Sequence, residues 1–229
     1  LDGGFHGETI GATAIGGVEL FRRPFAGLLA ECLHLPSPGD PGVSLETAIA
    51  ALDDLLQRES DTIACFVVEP VVQGAAGMWM HDPAYLRAAR EVCDRHDVFL
   101  VADEVFTGYG RTGPMWACQH AGVVPDLLCT AKGFSGGMLP MAATLATERV
   151  FAGFLGGRER AFYYGHSFCG NPLGAAVALE VLRVYADERI LERTAPKAAR
   201  IADAFAKLGA LPGILRTRWL AREQLSEPR

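Results

Sequence analysis

The sequence predicts an α/β fold built on a mostly parallel sheet with helices on both faces, and three observations carry that prediction. Short β-branched or apolar runs alternate with amphipathic stretches along the chain. The strand-like runs are apolar almost throughout rather than at every second position, as in "TIACFVVE" and "VFLVADE". Strands buried on both faces read this way, and helical crossovers are what cover both faces of a parallel sheet. Several helical stretches also open on a capping residue or a proline, so the alternation has punctuation as well as pattern.

The elements follow in order. Residues 44–60, "SLETAIAALDDLLQRES", read as a helix with Ser44 at its cap. Residues 62–69 read as a first buried strand. Residues 82–97 carry apolar positions at Tyr85, Leu86, Ala89 and Val92, one helix face, with Pro83 suited to the first turn. Strands are predicted at 98–104, 126–131 and 141–147. Residues 171–188 form a helix with Asn171 as cap and Pro172 at the first helical position, and 189–209 a last amphipathic helix. Neither an internal repeat nor a low-complexity segment interrupts this order.

Composition narrows the function. Half of the 229 residues are apolar and 21% are charged, so the chain buries a sizeable core and is not a disordered segment. A net charge of -6 leaves no basic footprint for nucleic acid. No apolar run approaches the roughly 20 residues that cross a bilayer. The six cysteines, at 32, 65, 93, 118, 129 and 169, form no C-x-x-C pair, which argues against a zinc site and for reduced thiols in apolar runs. A cytosolic protein is expected. The first residues, "LDGGFHGETIG", show neither a methionine nor a signal-peptide pattern and read as the interior of a domain, and the last, "RTRWLAREQLSEPR", bring no closing element. Truncation at both ends is expected.

Ligands of such sheets sit beyond the carboxyl ends of the strands. Glu69, Asp103 and Lys132 all fall at such ends. Of 21 basic residues only three are lysines, at 132, 197 and 207, and the first stands alone at the end of an apolar run, with glycines after it. A primary amine forms a Schiff base with a carbonyl, which a guanidinium cannot do, and burial lowers a lysine pKa and frees the amine for attack. Lys132 is therefore read as an amine held out of bulk water for imine chemistry. Asp103, in "VFLVADE", has the apolar-strand-then-acid form of a nucleotide hydrolase. That reading needs a G-x-x-x-x-G-K-[ST] loop, and Ala131 precedes Lys132 where glycine is required. Alone, Asp103 reads equally well as an acid capping a turn.

If the carbonyl is that of pyridoxal 5'-phosphate, a carboxylate must keep its ring nitrogen protonated, and Asp103 is the candidate. Val105, on the same side of the chain as Asp103 if the strand continues, is a candidate for one ring face, and Phe5 for the other. Ser167, just before the helix that starts at Asn171, is the candidate for the phosphate.

The phrases "FVVEPVVQGAAGM", "LVADEVFTGYGRTG", "PDLLCTAKGFSGGMLPMAA" and "GHSFCGNPLGAA" occur in the order and spacing of the class III aminotransferases, and the chain resembles that family from Leu1 to about residue 187. The resemblance implies a fold-type I, pyridoxal-phosphate-dependent enzyme working as a homodimer with a shared active site. It implies Lys132 as the Schiff-base lysine and Asp103 as partner of the pyridine nitrogen. Phe5, His6 and Gly7 would form an aromatic wall, and His166 and Ser167 would reach the cofactor phosphate of the neighbouring subunit. Residues 1–187 would be the cofactor-binding large domain, and 188–229 the start of a small C-terminal domain.

Within the family, "HGETIGATAIGGVELF", the "PSP" at 36–38 and residues 71–105 are most similar to the branch that serves biotin synthesis. That branch moves an amino group from S-adenosylmethionine to 8-amino-7-oxononanoate, and the likeness implies that Phe5 and Gly165 contact the keto substrate. An ω-amino acid aminotransferase acting on 4-aminobutyrate, ornithine or β-alanine is the alternative, and an inactive fragment a third. The chain departs from the pattern in four ways. Phe5 stands for the branch's usual tyrosine, Tyr164 for a histidine and Ser167 for the commoner threonine. Members of the family are also about twice as long, and the upstream glycine/serine phosphate turn and downstream substrate arginine find no counterpart among these residues.

Overall fold

The computed structural model describes residues 1–214 and 217. The chain opens with two short helices, α1 (Ile10–Ile15) and α2 (Glu19–Arg22), followed by α3 (Leu45–Glu59). Strand β1 (Cys65–Val68) leads to a small hairpin, β2 (Val72–Gln73) and β3 (Trp79–Met80), then to α4 (Pro83–Arg95) and β4 (Phe99–Asp103). Next come α5 (Cys118–Ala121), β5 (Leu127–Thr130), β6 (Ala143–Ala146) and α6 (Glu148–Ala152). The long helices α7 (Pro172–Asp187) and α8 (Ile190–Gly209) follow. The second-domain expectation for 188–229 falls partly at 215–216 and 218–229, outside the described residues.

The sheet runs β1-β4-β5-β6. Its first three strands are parallel and β6 is antiparallel to β5, so the sheet is mostly parallel as expected. The predicted strand at 62–69 is shorter at both ends. Ser60–Thr62 curl into a 3₁₀ turn. Beyond Val68, Glu69 turns its carboxylate to loop amides and Pro70 has no N–H to offer a ladder. The hairpin was not predicted, because two residues per strand leave no periodicity to read.

Two caps are the predicted ones, and Asp82 adds a third. Ser44 Oγ accepts the Thr47 N–H at 3.1 Å, and Asn171 Oδ1 accepts the Leu173 N–H at 3.1 Å ahead of α7. Asp82 Oδ1 accepts the Ala84 N–H at 2.7 Å, with Pro83 at the first position of α4. Each satisfies a donor that the helix itself leaves open.

Helices α3 and α4 bury one face of the sheet. Leu52 and Leu56 of α3 and Tyr85, Leu86, Ala89 and Val92 of α4 join Phe66, Val68, Leu100 and Ala102 of β1 and β4 in one apolar cluster. Alternate strand residues Val67, Phe99 and Val101 face the other way and are only half-buried. Phe99 there lies 4.7 Å under the Arg149 guanidinium of α6. Asp126 ties the layers together: Oδ2 accepts the Leu100 N–H and Arg90 Nη1, both at 2.8 Å. All six cysteines are free, with Cys93 and Cys118 buried, Cys32 and Cys129 half-buried, and Cys65 and Cys169 exposed. No described helix is long and apolar enough to cross a membrane.

Candidate active site

The parallel register pairs Asp103 with Cys129, so the carboxyl ends of β4 and β5 lie side by side. Asp103 is the last residue of β4, and Lys132 comes two residues after β5. Glu69 follows the last residue of β1, on the other side of β4.

Asp103 is 7% exposed, and both of its oxygens are engaged. Oδ1 accepts the Val105 N–H at 3.1 Å, and Oδ2 lies 2.7 Å from His6 Nδ1. An ionised carboxylate can only accept, so His6 Nδ1 carries the proton of that bond. The Val105 bond corrects one expectation. The chain does not stay extended after Asp103; it folds back in an Asx turn, so period-two alternation no longer places Val105 beside Asp103. Val105 stays half-buried next to the site.

Glu69 holds the neighbouring residue. Its Oε1 accepts the Phe5 N–H at 2.9 Å, and its Oε2 the Gly74 N–H at 3.1 Å. Burial pushes the Glu69 carboxyl up, and those two N–H donors and His6 oppose the rise. Phe5 and His6, consecutive in sequence, are thus pinned to consecutive strand ends. The Phe5 ring packs edge-on to Phe21 at 5.5 Å, beside the site but with an aromatic partner of its own.

Lys132 sits at the start of the turn Lys132–Ser135 with φ of 40°, a left-handed backbone that side chains seldom adopt. Its Nζ lies 5.5 Å from the centroid of the Phe106 ring, and it makes no ion pair among the described residues. The expectation of an amine out of bulk water is not met within one copy of this chain: Lys132 is exposed. The segment 153–170, which carries Gly165, His166 and Ser167, is itself exposed and lays nothing over it. His166 and Ser167 are not gathered with Asp103 and Lys132. His166 Nδ1 accepts the Phe168 N–H at 3.1 Å, a contact inside its own loop.

Two supports were missed in the sequence. Glu104 is fully buried: Oε1 accepts the Cys118 N–H at 2.8 Å, and Oε2 accepts the Ala117 N–H at 3.0 Å and the Thr107 hydroxyl. It closes the loop 105–117, which brings Phe106 under the lysine. The signal was an acid directly after Asp103 at a strand end, with a threonine three residues on. Ser37, from the "PSP" phrase, donates to Gln73 Oε1 while Gln73 Nε2 donates to the Asp2 carbonyl at 2.9 Å, fixing the strand-end residues of the first segment.

The arrangement suits one half of pyridoxal phosphate. Asp103, buried and backed by an N–H, is an acceptor fit for a protonated ring nitrogen, and Lys132 supplies an unpaired amine at the adjacent strand end. Among the described residues, the expected phosphate contacts His166 and Ser167 lie on an exposed loop, with His166 bonded within it.

The model of the family described as aminotransferase class III matches residues 1–218. The chain belongs to that family. A curated relative, the adenosylmethionine-8-amino-7-oxononanoate aminotransferase of Nitratidesulfovibrio vulgaris, is 43% identical over 220 residues, 92% of this chain and 41% of the relative. Among solved structures, the enzyme of the same name from Methanocaldococcus jannaschii superposes with a TM-score of 0.84 at 33% identity, over 92% of this chain and 48% of that one. The ornithine aminotransferase of Toxoplasma gondii, whose active site is described as partly occupied by PLP, gives 0.80 at 31% identity, over 95% of this chain and 47% of that one. This class III aminotransferase chain therefore spans about half the length of the relatives it matches. The fold expectation, a fold-type I sheet with its helices, agrees with these neighbours.

Proposed function

We propose that the protein is a pyridoxal-phosphate-dependent aminotransferase that takes its amino group from S-adenosylmethionine and gives it to 8-amino-7-oxononanoate, in the cytosol and as a homodimer. The observation that carries the reading is the placing of a buried, histidine-backed Asp103 and an unpaired Lys132 at neighbouring strand ends. Family membership and the relatives' names support the choice of reaction and substrates.

When bound, the cofactor supplies a protonated ring that takes up the electron pair left when the donor's Cα proton is removed. Asp103 keeps the proton on the ring nitrogen, and its charge opposes loss of that proton. His6 fixes the Asp103 carboxylate so that one edge remains directed at its partner, as a hydrogen-bonded support does for any oriented group. Lys132 would hold the cofactor through its amine, and the same amine, when free, would act as the general base and acid that carries a proton. Gly165, His166 and Ser167 are exposed; in this reading they would contribute to the site of a second copy, Ser167 and His166 toward phosphate and Gly165, with Phe5, toward the keto substrate. A second copy over this face would also remove Lys132 from water.

The test is direct. Protein incubated with pyridoxal phosphate should develop a visible absorbance band that Lys132→Ala and Lys132→Arg both abolish, because guanidinium cannot replace the amine. A band unchanged in either variant sinks the reading. S-adenosylmethionine with 8-amino-7-oxononanoate should support turnover. Turnover of 4-aminobutyrate, ornithine or β-alanine alone would select the ω-amino acid reading, which the ornithine aminotransferase neighbour favours. Size-exclusion chromatography with and without cofactor should show a dimer, and a monomer that binds no cofactor would mark these residues as an inactive fragment.

A further inference from the structure

Lys132 presents a physical problem that its own turn does not solve. A left-handed φ is a strained conformation for a non-glycine residue and persists where surrounding structure holds it. Inside the turn two backbone bonds act: Phe134 N–H to the Ala131 carbonyl at 2.8 Å spans Lys132 and Gly133, and Gly136 N–H to the Gly133 carbonyl at 3.0 Å closes the far end. Helix α7 packs against the far end of the turn, where a Cβ on Gly136 would meet Val181 Cγ2 at 3.2 Å, and at the lysine end a further restraint comes from across the site, from the loop 105–117.

Tyr109 lies directly on the residue after the lysine. A Cβ built on Gly133 would meet Tyr109 Cβ and Cγ at 2.7 Å and Cδ2 at 2.8 Å, so the tyrosine side chain touches the bare Gly133 backbone. Tyr109 is itself in the left-handed region, with φ of 60°. It is held from every side: its N–H donates to the Met115 carbonyl at 2.7 Å, and its carbonyl accepts the Tyr185 hydroxyl at 3.1 Å. Its ring packs edge-on to Trp116 at 5.2 Å and to Tyr185 at 5.7 Å, and tilted to Phe134 at 6.4 Å. The loop is closed in turn by Glu104, whose carboxylate takes the N–H groups of Ala117 and Cys118 and whose carbonyl takes that of Gly108 at 2.9 Å. The same loop carries Phe106, above whose ring the Lys132 amine sits.

We propose that Tyr109 is a positioning residue for Lys132: its ring, wedged by Trp116 and Tyr185 against the Gly133 backbone, helps hold the strained turn that keeps the lysine amine over Phe106, at the strand end next to that of Asp103. Gly133 is glycine because that contact leaves no room for a side chain. What touches Gly133 is the Cβ and the near edge of the ring, while the phenol oxygen is turned to Thr130 at the end of β5. The inference rests on the aminotransferase reading for its consequence, since the held amine is the one assigned to the cofactor.

The chain's three lysines make the test clean. Reductive ¹³C-methylation gives one dimethylamine signal per lysine plus one for the amino terminus, and Lys132→Arg assigns the signal of Lys132. In the cofactor-free protein that signal should be displaced by the Phe106 ring current. Tyr109→Ala should return it to the position of Lys197 and Lys207, while Tyr109→Phe keeps it displaced. Borohydride reduction of protein with pyridoxal phosphate, followed by peptide mass analysis, should show about tenfold less adduct on Lys132 in Tyr109→Ala than in wild type or Tyr109→Phe. Gly133→Ala, whose new methyl pushes the ring away, is the second variant if Tyr109→Ala does not fold, and should behave like it. An unmoved signal and full adduct in Tyr109→Ala or Gly133→Ala overturn the inference, as does a loss in Tyr109→Phe equal to that in Tyr109→Ala. A wild-type protein that forms no adduct on Lys132 overturns the aminotransferase reading itself, a result the methyl signal does not depend on.

Discussion

His6 Nδ1 and Asp103 Oδ2 are 2.7 Å apart, although 97 residues separate them in sequence. Both side chains are nearly enclosed, at 4% and 10% exposure, so the bond is shielded from water and its loss is not made good by solvent. The pair joins the chain's first segment to the end of β4 and sets which way the carboxylate points.

His6→Phe keeps the ring and removes the donor. A hydrogen bond to a charged group is worth about 2 kcal/mol, so kcat/KM should fall roughly tenfold or more. Without the His6 donor the bound cofactor's absorbance should also titrate at a different pH than in wild type. His6→Asn, which retains a short donor, should lose less. Activity and titration both unchanged in His6→Phe would show that Asp103 does not depend on this bond.

Tyr85 is fully buried, yet its hydroxyl finds no hydrogen-bond partner among the described residues. Burial drives its pKa well up. The ring earns its place by packing in the core and edge-on to His81 at 5.6 Å, which phenylalanine would do as well. Removing an unsatisfied buried hydroxyl should stabilise, so Tyr85→Phe should gain about 1 kcal/mol and raise Tm by about 3 °C. A lower Tm would mean that the hydroxyl has a partner in solution.

Much of the scaffold was legible because it rests on local rules. The caps Ser44 and Asn171, the prolines at 83 and 172 and the apolar strands announce themselves within a few residues. Asp103 and Lys132 could be placed at strand ends for the same reason. What sequence did not disclose is long-range. No local signal joins His6 to Asp103, Phe5 to Glu69 or Tyr109 to Gly133. Strand alternation does not carry through to Val105, because an Asx turn intervenes. The expected burial of Lys132 was inferred from chemistry, whereas burial depends on what covers the residue, and this chain alone does not cover it.

Glu104 is the clearest case of a buried charge supported by its surroundings, with two N–H donors and a hydroxyl on its two oxygens. Glu104→Gln replaces one acceptor oxygen with an NH₂ facing other donors. The expected loss is about 3 kcal/mol, read as a lower midpoint in urea unfolding with an unchanged slope. Because the loop 105–117 also carries Phe106 and Tyr109, the ¹³C-methyl signal of Lys132 should broaden or shift in this variant. A midpoint within error of wild type would mean that the loop closes without Glu104.

Asp126 gives the protein an acid-sensitive joint between α4, β4 and β5. Burial alone would raise its pKa; the Leu100 N–H and the Arg90 guanidinium, each at 2.8 Å, overcome that and hold the carboxyl below the ordinary carboxylate range. The folded state thus binds this proton less readily than the unfolded chain does. The resulting stability is fully present above the unfolded value of about 4, and is lost as pH falls through the lower folded value. Asp126→Asn should cost about 2 kcal/mol at pH 7, since Arg90 loses a partner in a half-enclosed position, though Asp94 still holds its other nitrogen at 2.6 Å. The gap between wild type and variant should then close as urea unfolding is repeated from about pH 5 downward, because the wild-type carboxyl takes up its proton and loses the same bonds. A gap that stays constant with pH would show that the joint is held by shape and hydrogen bonding rather than by the charge of Asp126.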